Sequence, residues 1–362
     1  MENLLVNKVA AVKEVRQAAE YQKKKQACIL TGLAGSSKPV FFATADKLLG
    51  GKGSMAFITA SREEIRTYRR ELNYLYPDLP MQELYPVSLP RVQADTQSLE
   101  LQAGRAAALR FLSGEERGIV FITAEALQQK QLRPSGMSGK ALQLAVGEEH
   151  EQRNVAAALL DLGYERTEQV DALGQFCLRG DILDVYPINA SAPIRIEWFD
   201  NELDAMRSFD VDTQRSLQTL SSVKVAPLKV DESFSYDADI FEYCAADTLV
   251  VVDEPVHVFS MLEKLDKENK LHSAELFGKQ EVIEQLAVNG VLLVSALGHS
   301  YLQQLPTLNI PVRAVAPYNK NTNLLVEDLQ SWLAEGLTPL IMLSSSVKAR
   351  GFADNLHNYG LK

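Results

Sequence analysis

A turn of small residues early in the chain has the length and part of the composition of a phosphate-binding loop. It begins at Gly32 and reads Gly-Leu-Ala-Gly-Ser-Ser-Lys-Pro. Against the pattern GxxxxGK[ST], Gly32 and Lys38 match and Gly35 is an additional glycine. Ser37 replaces the glycine that lets backbone amides approach phosphates, and Pro39 replaces the Mg²⁺-binding hydroxyl residue and has no amide proton. We therefore expect a degenerate nucleotide loop without ATPase activity. An active nucleotide site and a chance resemblance are the alternatives.

An acidic pair follows a later apolar strand. Asp253 and Glu254 come directly after three consecutive valines. In an ATPase such a pair would bind the metal ion and orient the attacking water. Without a hydroxyl partner in the loop, an acidic cap at the end of a strand is an equal alternative.

A second group of charged residues, residues 174–187, alternates with apolar ones, which is typical of half-buried strands. Its carboxylates have no accompanying histidine and no metal-ligand spacing, so a solvated sheet face is favoured over a catalytic pair. Cys28, Cys177 and Cys244 lie far apart, which argues against zinc and disulfides. We therefore expect no cofactor, no metal and no catalytic residue.

Composition limits the function classes. The 362 residues include 47 acidic and 37 basic ones, a net charge of −10, whereas a protein that mainly grips DNA phosphates is basic. Any nucleic-acid contact must be local or lie elsewhere in a larger polypeptide. The apolar runs are strand-sized and the start lacks a signal-peptide region, so we expect a cytoplasmic protein without a membrane contact.

The element pattern indicates an α/β protein with an inserted α+β domain. Strands alternate with helices before residue 131, and the alternation resumes near residue 248. Between them lie one helix and several strands with period-two alternation. The predicted strands are residues 27–30, 55–59, 118–123, 175–178, 182–186, 194–199, 205–209, 222–225, 248–252, 290–295 and 339–343. The predicted helices are residues 7–25, 94–112, 152–162, 324–334 and 347–359, with one more behind a capping box at Ser61 and another that begins at Ala124.

This pattern predicts three units. Residues 1–130 and 228–318 form a discontinuous α/β domain, residues 131–227 an inserted α+β domain, and residues 319–362 the incomplete start of a third α/β domain. One strand with two helices cannot make a core, so the chain is expected to be cut from something longer.

Three motifs carry a resemblance to a known family. An Arg-Gly-Asp-Ile-x-Asp-x-x-Pro run starts at Arg179, an Arg-x-Glu-x-Phe strand at Arg195 and an Asp-x-x-Thr-Gln-Arg-Ser end at Asp210. In this order they resemble the nucleotide-excision-repair protein UvrB and, more closely, the amino-terminal part of the transcription-repair coupling factors. That resemblance covers nearly the whole chain and implies a degenerate RecA-like helicase domain with an inserted UvrA-binding domain.

Two departures separate the chain from UvrB. The loop has Ser37 and Pro39, and the stretch that corresponds to UvrB's aromatic damage-probing hairpin, residues 83–90, holds a single tyrosine and is rich in proline. Stacking on exposed bases is therefore not available in that form.

The resemblance also assigns docking residues. By motif position Arg166 and Arg179 would contact UvrA, while Cys177 stands where UvrB often has another arginine. Arginine suits docking because its planar fork pairs bidentately with carboxylates. The alternative is that Arg179 pairs with Asp181 or Asp184 inside the sheet.

The leading hypothesis is a non-enzymatic module that recruits UvrA to stalled RNA polymerase. RNA polymerase and DNA would be contacted by the missing remainder of the parent protein, whose family is an ATP-dependent DNA translocase. The rival is an active UvrB-type DNA helicase or ATPase fragment, and a third possibility is a UvrB-like scaffold with an unrelated partner.

Overall fold

The larger body of the molecule is a seven-stranded parallel sheet, ordered β17-β1-β16-β15-β2-β4-β3. The computed structural model describes residues 4–88, 99–134, 141–228, 236–296 and 305–361, the last range without 313, 314, 316, 320, 340, 342 and 344. The sheet strands are β1 (Cys28–Thr31), β2 (Met55–Thr59), β3 (Met81–Leu84), β4 (Ile119–Thr123), β15 (Leu249–Asp253), β16 (Leu292–Ser295) and β17 (Thr307–Asn309).

Helices cover both faces of this sheet, which explains why its central strands are continuous apolar runs. One face packs against α2 (Lys13–Lys23), α3 (Ser37–Leu48) and α4 (Arg62–Leu75). The other packs against α5 (Leu99–Ser113), α6 (Ala124–Gln128), α8 (Pro255–Glu268) and α9 (Lys279–Val288). The predicted mixed α/β class with a parallel sheet is thus confirmed.

Some element predictions need correction. The predicted helix over residues 7–25 is two helices, α1 (Leu4–Val9) and α2, with a break between them. Helices α3, α8 and α9 and strands β3 and β17 were not predicted. Of the predicted helix over residues 94–112, the described part begins at Leu99, and residues 94–98 lie outside the described residues.

A smaller lobe is built on a second sheet of six strands, ordered β12-β11-β10-β9-β8-β7. Its strands are β7 (Glu165–Arg166), β8 (Gln175–Arg179), β9 (Ile182–Val185), β10 (Ile194–Phe199), β11 (Glu202–Phe209) and β12 (Ser216–Leu220). Only β7 and β8 run parallel; the other pairs are antiparallel. The helix α7 (Gln152–Asp161) packs on one face through Val155 and Leu159. The predicted strand over residues 194–199 therefore belongs to a different sheet from the strand over residues 55–59.

Two short ribbons lie where the chain enters and leaves the lobe. Strand β6 (Leu142–Ala145) pairs with β13 (Ser222–Val225), and β5 (Gln131–Leu132) pairs with β14 (Tyr236–Ala238). Short 3₁₀ helices follow at Ile240–Tyr243 and Lys270–Glu275. The domain boundaries at residues 130/131, 227/228 and 318/319 stay a prediction.

The last described elements are α10 (Thr322–Ala334) and α11 (Ser346–His357), close to the two helices predicted there. The strand predicted over residues 339–343 falls partly outside the described residues, and residues 339, 341 and 343 have no strand assignment. Within the described parts of the chain, no helix is both long and apolar enough to cross a bilayer.

Candidate functional site: the glycine loop and the arginine-bearing lobe

The glycine-rich turn connects β1 to α3 and is closed by its own side chains. Gly32 has φ +85°, and a Cβ there would lie 2.6 Å from the carbonyl oxygen of Ile310, so only glycine fits. The Ser37 hydroxyl donates to the Ala34 carbonyl at 2.7 Å and accepts from the Ala34 N–H at 3.0 Å. Pro39 is buried in the first turn of α3. One backbone amide of the loop is therefore engaged by Ser37.

The loop lysine and the acidic pair, far apart in sequence, meet at the carboxyl end of β15. The Lys38 ammonium donates to Asp253 at 2.6 Å and to Glu254 at 2.8 Å. The lysine and Asp253 side chains are each only 10% exposed. Burial alone would lower the pKa of Lys38, but the hydrogen bonds and charges of the two carboxylates outweigh it and raise the pKa.

Further groups hold the acidic pair in place. Glu254 adopts φ +42°, and its carboxylate accepts the backbone N–H of Ala296 at 3.0 Å. Burial first, and then the charge and hydrogen bond of Asp253, raise the pKa of Tyr68. Both carboxylates that a metal ion would need are thus engaged by the ammonium of Lys38.

The described ranges contain no cluster of side chains suited to hold a metal ion. There, no group of three or more His, Cys, Asp or Glu side chains is placed to hold an ion. The cysteines are free thiols, and burial raises the pKa of Cys28 and of Cys244 to about 12. Such thiols are protonated at neutral pH and poorly reactive.

Arg179 lies at the exposed end of β8, immediately before Gly180, which has φ +58°. Its guanidinium donates to the backbone carbonyl of Glu168, from Nε at 3.1 Å and from Nη2 at 2.5 Å. Asp184 is bound by Arg195 instead, and among the described residues no hydrogen bond or ion pair joins Arg179 to Asp181. The Arg179 guanidinium is therefore held by a backbone carbonyl.

Arg166 is exposed on the two-residue edge strand β7. In the sheet register it lies beside Phe176 of β8, whose side chain faces the apolar core of the lobe. Since side chains alternate along β8, Arg179 belongs to the opposite face. The two arginines thus share one edge of the lobe but not one face. A partner that contacts both must wrap around this edge.

Arg195 of β10, which begins one of the motifs of the sequence, was not among the predicted site residues. It binds Asp184 bidentately, from Nε at 2.7 Å and from Nη2 at 2.8 Å, and reaches Gln214 at 3.2 Å. Its guanidinium carbon lies 4.6 Å from the centroid of the Phe209 ring. The hydrogen bond to Asp184 raises the pKa of Arg195. The Arg-x-Glu alternation of β10 was the only available signal.

These side chains belong to a row across the face of the sheet that is turned away from α7. The register places Cys177, Asp184, Arg195 and Arg207 side by side on four adjacent strands. Arg207 forms an ion pair with Glu197 on the same face. Strands β9, β10 and β11 are thus joined by ion pairs on this face.

The sequence of the lobe matches a known protein family. Residues 142–230 match the UvrB interaction domain family, which covers the six-stranded sheet and α7. The lobe is therefore similar to UvrB interaction domains.

Longer proteins are also similar to this chain. The chain is 33% identical over 202 residues to a transcription-repair-coupling factor of Bacillus subtilis (strain 168), which is 56% of this chain and 17% of that protein. It is 27% identical over 165 residues to that of Escherichia coli (strain K12), 46% of this chain and 14% of that protein. The family match and these relatives support a UvrB-like module similar to the amino-terminal part of transcription-repair-coupling factors. The chain spans less than a fifth of the length of these relatives.

Proposed function

We propose that this chain is the UvrA-recruiting module of a longer protein that couples stalled RNA polymerase to nucleotide excision repair. The observation that carries the proposal is the match of residues 142–230 to the UvrB interaction domain family. RNA polymerase and DNA would be contacted mainly by the remainder of the parent protein, and the translocase activity would also lie there.

The edge formed by β7 and β8 suits a docking role. Arg166 and Arg179 are both exposed there, in a chain with a net charge of −10. The carbonyl of Glu168 holds the Arg179 guanidinium in one orientation, which lowers the entropy lost when it binds a carboxylate. We assign Arg166 and Arg179 to contacts with acidic groups of UvrA.

The glycine loop is proposed to be a relic that neither binds nor hydrolyses ATP. Lys38, which would contact the β- and γ-phosphates in an active site, is committed to Asp253 and Glu254. Pro39 offers no hydroxyl for Mg²⁺, and the Ser37 hydroxyl engages a loop amide. The rival function, a UvrB-type helicase or ATPase, would require Lys38 to leave Asp253 and Glu254 and the Ser37 hydroxyl to leave the loop amide.

Charge reversal at the proposed edge tests the docking assignment. Purified UvrA is titrated against the parent chain and the Arg166→Glu and Arg179→Glu variants. Arg153→Glu, on the exposed side of α7 with an 83% exposed side chain, is the matched control. Losing one partner of a desolvated charge pair costs roughly 2–5 kcal/mol, so the dissociation constant should rise at least about 30-fold in each edge variant.

The fold of each variant is checked by circular dichroism. Arg153→Glu should bind UvrA as the parent does. If both edge variants are folded and bind UvrA with the parent affinity, the assignment of Arg166 and Arg179 is wrong.

A further inference from the structure

Helix α4 has an arginine-rich side that the proposed function does not use. Its buried side consists of Ile65, Tyr68 and Leu72, which pack on the large sheet. Taking about 100° of rotation per residue, the arginines of α4 fall within about 100° of the helix circumference. All of them are exposed: Arg62, Arg66, Arg69 and Arg70. We call these four side chains the α4 arginine face.

Two arginines of this face are held by neighbouring groups, and the other two have no partner among the described residues. Arg62 forms an ion pair with Glu83 and lies 5.0 Å from the Tyr85 ring centroid. Arg69 donates to the Met81 carbonyl at 3.2 Å. Arg66 and Arg70, in contrast, make no hydrogen bond or ion pair with any described residue. The face therefore has an ordered border beside the edge strand β3 and two free cations.

The acidic residues of α4 do not neutralise this face. Glu64 lies on the far side of the helix, where it caps the N-terminus by accepting the N–H groups of Ala60 and Ser61. Glu71 also lies away from the arginines and accepts the Ser36 hydroxyl. Of the three carboxylates on α4, only Glu63 borders the face. The positive charge is thus concentrated, although the chain as a whole is acidic.

We infer that the α4 arginine face binds the sugar–phosphate backbone of DNA, without sequence specificity. Arg62, Arg66 and Arg70 recur once per turn, about 6 Å apart along the helix, which allows neighbouring guanidinium groups to reach neighbouring phosphates of one strand. Tyr74, 69% exposed and one turn further on, adds an aromatic ring beside the cations. The regular spacing of the cations along one line of the helix matches a row of phosphates, so the arrangement favours nucleic acid.

The expected binding is weak and strongly dependent on salt. Two to four neutralised phosphates give a slope of about −2 to −4 in a plot of log affinity against log salt concentration. The contact would supplement the DNA contacts proposed for the rest of the parent protein, and it is the kind of local contact that an acidic composition allows.

The test measures fluorescence anisotropy of a labelled duplex of about 20 base pairs, and of one of its single strands, between about 50 and 200 mM salt. The double variant Arg66→Gln/Arg70→Gln should reduce the slope by about 1 to 2 and weaken binding at low salt at least about tenfold. The control Arg153→Gln/Arg350→Gln has the same net charge but changes the lobe and α11, and should bind DNA as the parent does. Stronger binding of the single strand than of the duplex would show that Tyr74 stacks on a base. Equal binding of the two would show that the face contacts only the sugar–phosphate backbone.

Three results would overturn the inference. They are no binding to either DNA at the lowest salt, equal loss in the α4 and control variants, and displacement of DNA by polyglutamate at equal charge concentration. The last would make the face a surface for acidic proteins. Circular dichroism and UvrA binding of the α4 double variant, both expected to be unchanged, separate loss of the DNA contact from loss of the fold or of the proposed docking.

Discussion

Replacing Lys38 with methionine should destabilise the α/β body strongly, because it leaves two carboxylates together without their cation. Removing one partner of a buried ion pair costs about 3–5 kcal/mol. Asp253 is only 10% exposed, but Glu254 is 22% exposed and keeps its hydrogen bond from Ala296. We therefore expect the lower end of that range, about 3 kcal/mol. For a domain of this size the melting temperature should fall by about 6–12 °C.

Thermal unfolding followed by circular dichroism measures this change. Lys264→Met is the matched control: the same residue change breaks the exposed pair with Glu268, whose side chains are 64% and 55% exposed. Such a pair contributes little, so the control should stay within about 2 °C of the parent. Adding Asp253→Asn and Glu254→Gln to Lys38→Met should recover part of the loss. Equal melting temperatures for Lys38→Met and the parent would refute the reasoning.

The contacts of Lys38 with Asp253 and Glu254 also predict that stability depends on pH. The pKa of Lys38 is raised above its ordinary value of 10.5 in the folded chain. A base of this kind contributes stability that is complete below its unfolded-state pKa and is lost as the pH rises through its folded-state pKa. The difference in melting temperature between the parent and Lys38→Met should therefore be constant near neutral pH and shrink above pH 10.5.

Three further predictions concern separate parts of the molecule. Isothermal titration of the parent chain with ATP and Mg²⁺ should show no binding heat, and a micromolar dissociation constant would support the helicase alternative. Arg195→Met should lower the free energy of unfolding of the lobe, followed by tryptophan fluorescence, by about 3 kcal/mol, because Asp184 is 6% exposed and loses its bidentate partner. Arg153→Met should leave this free energy unchanged. Gly290→Ala should reduce soluble yield or stability, because φ is +64° and the new Cβ would lie 2.5 Å from the carbonyl carbon of Lys25; a variant as stable as the parent would contradict this.

The sequence predicted the five central strands of the large sheet, β1, β2, β4, β15 and β16, because buried parallel strands are uninterrupted apolar runs. It did not predict α3, whose buried residues are distributed around the helix rather than along one stripe, so that no 3.6-residue period is visible. Its start at Ser37, followed by Pro39, also reads as a turn. The short edge strand β3 has neither a continuous apolar run nor alternation. These elements become recognisable only from their place in the folded chain, where α3 is buried on the sheet and β3 pairs with β4.

The candidate site was predictable in its residue types but not in its pairings. The bonds of Lys38 join residues more than 200 positions apart, which a single sequence cannot reveal. The Arg195–Asp184 pair depends on the β9–β10 register. The faces of Arg166 and Arg179 depend on how the two-residue strand β7 aligns with β8. A one-residue shift there would have placed both arginines on one face.

The most direct test of the central claim is equilibrium binding of purified UvrA to the parent chain of 362 residues. Biolayer interferometry with the immobilised chain is one suitable format. If the lobe is a recruiting module, UvrA should bind saturably to the chain when the chain carries no nucleotide. Excess isolated UvrB should compete with the chain for UvrA. Absence of saturable binding at micromolar UvrA, with a folded chain, would contradict the account.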